Sequence, residues 1–137
     1  MEQPGFHHLA IQVHDLGRAE AFYAGLLGLP VIRRWADDAG APRSVWVGLD
    51  GGGFLALERC DEPAVAQPFS VPGPQLHVLA VAIDPACRDD WEARLVGAGF
   101  AKEKETPFTF YVRDPDGNRI GLSHFPHERR RAERSLP

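Results

Sequence analysis

An internal repeat is the feature that most constrains the fold of this chain. "HHLAIQVHD" covers residues 7–15 and "HVLAVAID" covers residues 77–84, and in each copy an aspartate follows a histidine by seven positions. The histidines His8 and His77 are 69 residues apart, as are the aspartates Asp15 and Asp84. Repetition at this distance predicts two modules of the same architecture.

The first copy opens a segment that predicts one strand, one helix and three more strands. Apolar residues at every second position from Leu9 to Val13 are typical of a strand with one face on a core. Asp15 is placed to cap a helix that ends at Gly28. The remaining strand candidates, separated by turn-rich residues, are "LPVIRRWA", "RSVWVGL" and "GFLALERC".

The second copy predicts the same order of elements. "LHVLAVAI" is a strand candidate, Asp84-Pro85 begins a helix, and the last three strands are "FAKEKE", "FTFYVRD" and "NRIGLSHF". We therefore predict a single α+β domain of two βαβββ modules, which cover residues 6–60 and 76–125 of the sequence. A linker at 61–75 and a C-terminal tail at 126–137 complete the chain. Laid side by side, the modules would form a cup-shaped mixed sheet with the helices outside and a ligand inside.

Composition narrows the class of partner. The chain has 137 residues, of which 44% are hydrophobic, and a formal net charge of −4, which argues against nucleic acid as the main partner. No apolar run approaches the roughly 20 residues of a membrane-spanning helix, and the N-terminus lacks the pattern of a secretory signal. We expect a cytoplasmic protein without a membrane partner, in which the two cysteines are reduced.

Three polar side chains are candidates for a metal site. If Leu9, Ile11 and Val13 face the helix, strand alternation turns His8 into the cup, and the repeat gives His77 the equivalent position. The same alternation in "GFLALERC" turns Glu58 inward. Two imidazoles and one carboxylate are a typical ligand set for a divalent ion with open coordination positions. The alternative is that each histidine is structural and that Glu58 is a surface residue paired with Arg59.

A second group of residues is expected to line the pocket. The aromatic candidates suit an apolar or aromatic substrate, although each is also compatible with a place in the core. A serine two residues beyond Gly121 lies on the same face of the last strand, where a structural role is the alternative to a catalytic one. The predicted pocket residues are Phe54, Phe108, Phe110, Gly121 and Ser123.

The chain resembles the vicinal oxygen chelate superfamily, which includes glyoxalase I, extradiol dioxygenases, methylmalonyl-CoA epimerase, and fosfomycin and bleomycin resistance proteins. The resemblance is carried by "HHLAIQVHDLGRAEAFYAGLLGLPV", "HVLAVAID" and "FYVRDPDGNRIGLSHF". It implies paired βαβββ modules around one divalent metal ion, with ligands at His8, Glu58 and His77. The fourth ligand of the family is usually a glutamate after the "DPDGNRI" turn, and this sequence has Gly121 there.

Two functions remain open at this stage. The first is a glyoxalase-like enzyme of the lyase, isomerase or dioxygenase type that uses Fe, Mn, Co, Ni or Zn to bind a small oxygen-chelating substrate, with no catalytic residue that the sequence identifies. Here Gly121 leaves space for water, substrate or a partner side chain. The second is a metal-free small-molecule-binding or antibiotic resistance protein of the bleomycin-binding type, in which Gly121 marks a lost ligand. In both cases we expect a homodimer.

Overall fold

The computed structural model describes residues 1–62, 68 and 72–129. The chain divides into two compact units, residues 1–66 and 67–137. Most of the predicted linker and the last eight residues of the predicted tail lie outside the described residues. None of the described helices is both long enough and apolar enough to cross a membrane.

The first unit consists of four strands and one helix in the predicted order. The strands are β1 (His8–Val13), β2 (Val31–Ala36), β3 (Pro42–Gly48) and β4 (Phe54–Arg59), and the helix α1 (Leu16–Glu20) continues as a π-helical segment (Ala21–Leu26). In the sheet the order is β1-β4-β3-β2, with β1 parallel to β4 and the other pairs antiparallel. The Asp15 carboxylate accepts a hydrogen bond from the backbone N–H of Arg18 at 3.0 Å, so Asp15 caps α1 as predicted.

The core of the first unit lies on one face of its sheet. Residues at alternate positions of the strands are almost completely buried there, and the helix contacts β3 and β4. Phe22 and Tyr23, from the helical segment, are 2% and 1% exposed. The buried strand residues are Ile11, Val13, Val45, Val47, Leu55 and Leu57.

The second unit repeats this order. Its strands are β5 (Leu79–Ala82), β6 (Lys104–Glu105), β7 (Thr109–Arg113) and β8 (Arg119–Ser123), and a 3-10 turn (Pro85–Cys87) leads into α2 (Arg88–Gly97). The order in the sheet is β5-β8-β7-β6, again with one parallel pair, β5 with β8. Asp84 caps the turn through the backbone N–H of Ala86 at 2.8 Å.

The two mixed sheets confirm the prediction of an α+β fold built from two βαβββ modules. The core of the second unit contains Phe110, Val112, Ile120 and Leu122, each no more than 1% exposed, together with Leu95 of α2. The "DPDG" turn joins β7 and β8, and the Asp114 carboxylate accepts from the backbone N–H groups of Asp116 and Asn118.

Candidate functional site

The open face of the first unit is the face of its sheet opposite the core. Strand alternation and the ladder register place side chains from all four strands on it. This face carries the residues of β1 and β4 that were predicted to bind a metal ion or a ligand, which are His8, Phe54 and Glu58. Its members are His8, Ala10 and Gln12 from β1; Phe54, Ala56 and Glu58 from β4; Ser44 and Trp46 from β3; and Arg33 and Trp35 from β2.

An aromatic row runs across the open face from β1 to β2. The rings of His8 and Phe54 are stacked, with centroids 4.8 Å apart and planes 7° apart, and those of Phe54 and Trp46 are stacked at 4.5 Å and 23°. Trp46 meets Trp35 edge to face at 5.6 Å. These four residues form the aromatic row, and the Arg33 guanidinium lies 4.2 Å from the ring centroid of Trp35 at its end.

Two of these aromatic residues, Trp35 and Trp46, were not predicted from the sequence as part of the site. In "RSVWVGL", Val45 and Val47 alternate with Ser44 and Trp46, so the alternation that placed His8 and Glu58 would also have placed Trp46. Trp35 carries a weaker signal because β2 is exposed on both faces and its pairing with β3 is irregular.

His8 and Glu58 share the open face but have different partners. In the ladder His8 lies opposite Phe54, whereas Glu58 lies opposite Gln12, four residues further along β4. At about 3.3 Å per residue this separates the two positions by about 13 Å. The metal site predicted at His8, Glu58 and His77 stays a prediction.

Each of these two side chains already makes a hydrogen bond. The His8 Nδ1 atom is 2.7 Å from the Nδ1 atom of His7. The Ser44 hydroxyl, which is 1% exposed, donates to the Glu58 carboxylate at 2.8 Å. Glu58 is thus a half-buried carboxylate held by a buried hydroxyl.

His77 lies two residues before β5, outside the observed strand, although the predicted strand included it. Its Nε2 atom is 3.1 Å from an Nη1 atom of Arg119. Because a guanidinium group can only donate, this hydrogen bond uses the imidazole lone pair that a metal ion would need. Glu103 balances the charge of Arg119, and its hydrogen bond with Arg113 lowers the pKa of the Glu103 carboxyl below its usual value.

The predicted equivalence of His8 and His77 is wrong by one residue. On the core side of the first sheet Leu9 pairs with Leu55, and on the core side of the second Leu79 pairs with Ile120. Leu9 and Leu79 are therefore equivalent, which makes Val78 the counterpart of His8. A shift of one residue moves a side chain to the other face of a strand, so the repeat in the sequence does not align the two histidines structurally.

A side chain at position 121 would be in tight contact with its neighbours. It lies opposite Tyr111 in the β7–β8 ladder, and a Cβ atom added to it would lie 3.2 Å from Tyr111 Cε1 and 3.2 Å from Thr109 Cγ2. The Tyr111 ring therefore borders the space that the sequence predicted at the position of the missing fourth ligand.

The other predicted pocket residues have different positions. Phe54 lies in the aromatic row, whereas Phe110 is 0% exposed in the core of the second unit, which supports the core alternative for this residue. Phe108 precedes β7 and contacts Phe125 edge to face at 5.3 Å. The Ser123 hydroxyl accepts from the Thr109 hydroxyl at 2.7 Å and donates to a backbone carbonyl, which supports the structural alternative for this serine.

The second unit contains a polar cleft of about 570 Å³ beside α2, lined in part by Arg88, Glu105, Phe108 and Arg129. Its cations are already paired, Arg88 with Glu105 and Arg129 with Asp89. Within either unit, the described residues contain no group of three or more histidine, cysteine or carboxylate side chains arranged to hold a metal ion. The open face of the first unit is therefore the better candidate for a binding site.

Comparison with known proteins gives a consistent family and fold. A model of the Glyoxalase/Bleomycin resistance protein/Dioxygenase superfamily matches residues 5–122. A glyoxalase/dioxygenase from Nostoc punctiforme is 23% identical, with 90% of this chain and 92% of that chain covered and a TM-score of 0.71. The sequence matches no curated protein.

Two further solved structures share the fold. The fosfomycin resistance protein FosX from Listeria monocytogenes, complexed with Mn(II) and sulfate, is 18% identical over 90% of this chain and 93% of that chain, with a TM-score of 0.68. TioX from Micromonospora sp. ML1 is 19% identical over 88% of this chain and 98% of that chain, with a TM-score of 0.62.

Proposed function

Because this chain belongs to the Glyoxalase/Bleomycin resistance protein/Dioxygenase superfamily, we propose that it binds a planar organic small molecule on the open face of its first unit. The aromatic row is the observation that carries this proposal. Three of its rings are only half-buried and His8 is exposed, although large aromatic residues are favoured in cores. Aromatic residues gathered on one accessible surface are typical of ligand sites.

The row is already ordered before a ligand arrives. Each ring is fixed by a neighbour at 4.5–5.6 Å, so little side-chain freedom is lost when another ring packs against them. Beside the row, the exposed Ala10 is paired in the ladder with Ala56, which is 2% exposed, and these two small residues form an alanine floor between taller side chains. The ordered rings and the small alanine side chains together favour the binding of a flat ligand.

Removal of Trp46 is expected to abolish most of this binding. We expect the neutral probe 3-propylindole to shift amide signals of β1, β3 and β4 in NMR titrations of the wild-type protein. In the Trp46→Ala variant its affinity should fall at least about tenfold, because the central ring of the row is lost.

The matched control is Trp91→Ala, which removes a tryptophan from α2 in the second unit. This variant should bind 3-propylindole as the wild-type protein does. Binding that is insensitive to Trp46, or a probe that shifts no signal on the open face, would contradict the proposal.

A divalent-metal-dependent enzyme is the second candidate. It is favoured by the Mn(II) in the related FosX structure and by the presence of His8 and Glu58 on one face. His77 completes the ligand set predicted from the sequence. This candidate is disfavoured by the four ladder positions that separate His8 from Glu58 and by the hydrogen bond that His77 accepts from Arg119.

Elemental analysis separates the two candidates. We expect untagged protein, purified without chelator, to contain well below one equivalent of iron, manganese, cobalt, nickel or zinc, and Glu58→Ala and His77→Ala to leave that content unchanged. Near-stoichiometric metal that disappears in both folded variants would instead establish the metal centre. The homodimer and the cytoplasmic location stay predictions.

A further inference from the structure

The open face carries an acidic group beside the aromatic row. Glu58 lies two residues beyond Ala56, and Ala56 lies opposite Trp46 in the β3–β4 ladder. Two residues of strand correspond to about 7 Å. The Glu58 backbone is therefore about 7 Å along β4 from the position opposite Trp46, with Ala56 between them.

Glu58 lacks a counter-ion in the part of the chain that the structure describes. None of the ion pairs there includes it, and the neighbouring Arg59 is engaged with Asp37 and Asp61 instead. Its hydrogen-bond partner is the neutral hydroxyl of Ser44. A half-buried carboxylate without a cation is costly, and a ligand that supplies the cation recovers that cost.

The Arg33 cation at the Trp35 end of the row already has an aromatic partner. Arg33 lies over Trp35 on β2, whereas Glu58 lies on β4 beside Gln12 of β1. The charged groups of the open face are thus separated, with the carboxylate beside the alanine floor and the guanidinium stacked on a ring. An ammonium group on a two-carbon arm that forms a charge-assisted hydrogen bond of about 2.8 Å spans about 7 Å, which is the length of two residues of strand.

We propose that the open face selects planar aromatic ligands that carry a protonated amine, with Glu58 as the counter-ion. This inference rests on the proposed function, because it assumes that the ligand ring packs against the aromatic row. It adds the chemical class of the ligand and assigns Glu58 a role in specificity.

The test compares three probes that share an indole ring. Tryptamine carries an ammonium group, 3-propylindole replaces that group with a methyl group, and indole-3-propionate carries a carboxylate. We expect tryptamine to bind the wild-type protein about tenfold more tightly than 3-propylindole in NMR titrations at low salt, and indole-3-propionate to bind most weakly. Added salt should reduce the preference for tryptamine.

Glu58→Gln removes the charge and keeps the shape of the side chain and an acceptor for Ser44. In this variant tryptamine and 3-propylindole should bind equally, while the affinity for 3-propylindole stays at its wild-type value. Asp50→Asn removes an exposed carboxylate from the turn before β4 and is the matched control, with the wild-type preference intact.

The outcomes are distinguishable. Equal affinities of tryptamine and 3-propylindole for the wild-type protein, or a preference that survives in Glu58→Gln, would overturn the role of Glu58 and leave the proposed binding face standing. A preference for indole-3-propionate would do the same and point to Arg33 as the selecting group. If none of the three probes binds in a Trp46-dependent manner, the proposed function itself fails.

Discussion

Arg88→Met is expected to lower the free energy of unfolding by about 1–3 kcal/mol, because it removes a buried guanidinium from an ion-pair network whose acidic partners are partly exposed. The Arg88 side chain is 2% exposed and forms ion pairs with Glu92 at 3.1 Å and Glu105 at 2.9 Å. One Nη1 atom also lies 3.1 Å from Nε2 of the buried His124. Methionine fills much of the volume but leaves these acceptors without their donor.

Urea denaturation of the wild-type and variant proteins measures this effect. Arg88→Lys should recover only part of the loss, because an ammonium group cannot reproduce the planar set of donors that reaches Glu92, Glu105 and His124 together. Lys104→Met, at an exposed position of β6, is the control and should change stability by no more than about 0.5 kcal/mol. A loss below about 1 kcal/mol in Arg88→Met would show that the network contributes little net stability.

Gly121→Glu, which restores the residue that the family usually has, is expected to destabilise the protein by about 2–4 kcal/mol. The new Cβ atom would lie 3.2 Å from Tyr111 Cε1, and the carboxylate would enter a position that is buried in the structure. Both overpacking against Tyr111 and the burial of a charge therefore contribute to the loss of stability.

Two further variants separate these causes. Gly121→Ala adds the crowding without the charge and should cost about 1 kcal/mol. In the Gly121→Glu background, Tyr111→Ala should recover stability, because it removes the ring that occupies the space. Wild-type stability of Gly121→Glu, measured by urea denaturation, would mean that Tyr111 moves aside freely.

The fold could be predicted because the repeat and the strand alternation are local signals. The capping aspartates Asp15 and Asp84, the order of elements along the chain and the "DPDG" turn follow from signals within each module. On the open face, the same alternation correctly placed His8 and Glu58 and would have placed Trp46.

The site was harder to predict, because strand register is not a local property. The histidine and the aspartate of the two copies match at a spacing of 69, yet in the second unit it is Leu79 and Val81 that pair with β8 on the core side, and His77 lies before the strand. The burial of Arg88 could not be predicted for a related reason, because its partners are distant in the sequence. Two of its partners, Glu105 and His124, lie 17 and 36 residues away in sequence.

The contact between Tyr111 and Gly121 also bears on how such a chain changes by mutation. A glutamate at 121 requires the Tyr111 and Thr109 side chains to give way, whereas a smaller residue at 111 leaves the glycine of β8 without the ring beside it. Each single substitution is therefore expected to lower stability, and the pair together is expected to cost less than the sum of the two. We expect the two positions to change as a pair in variants of this chain.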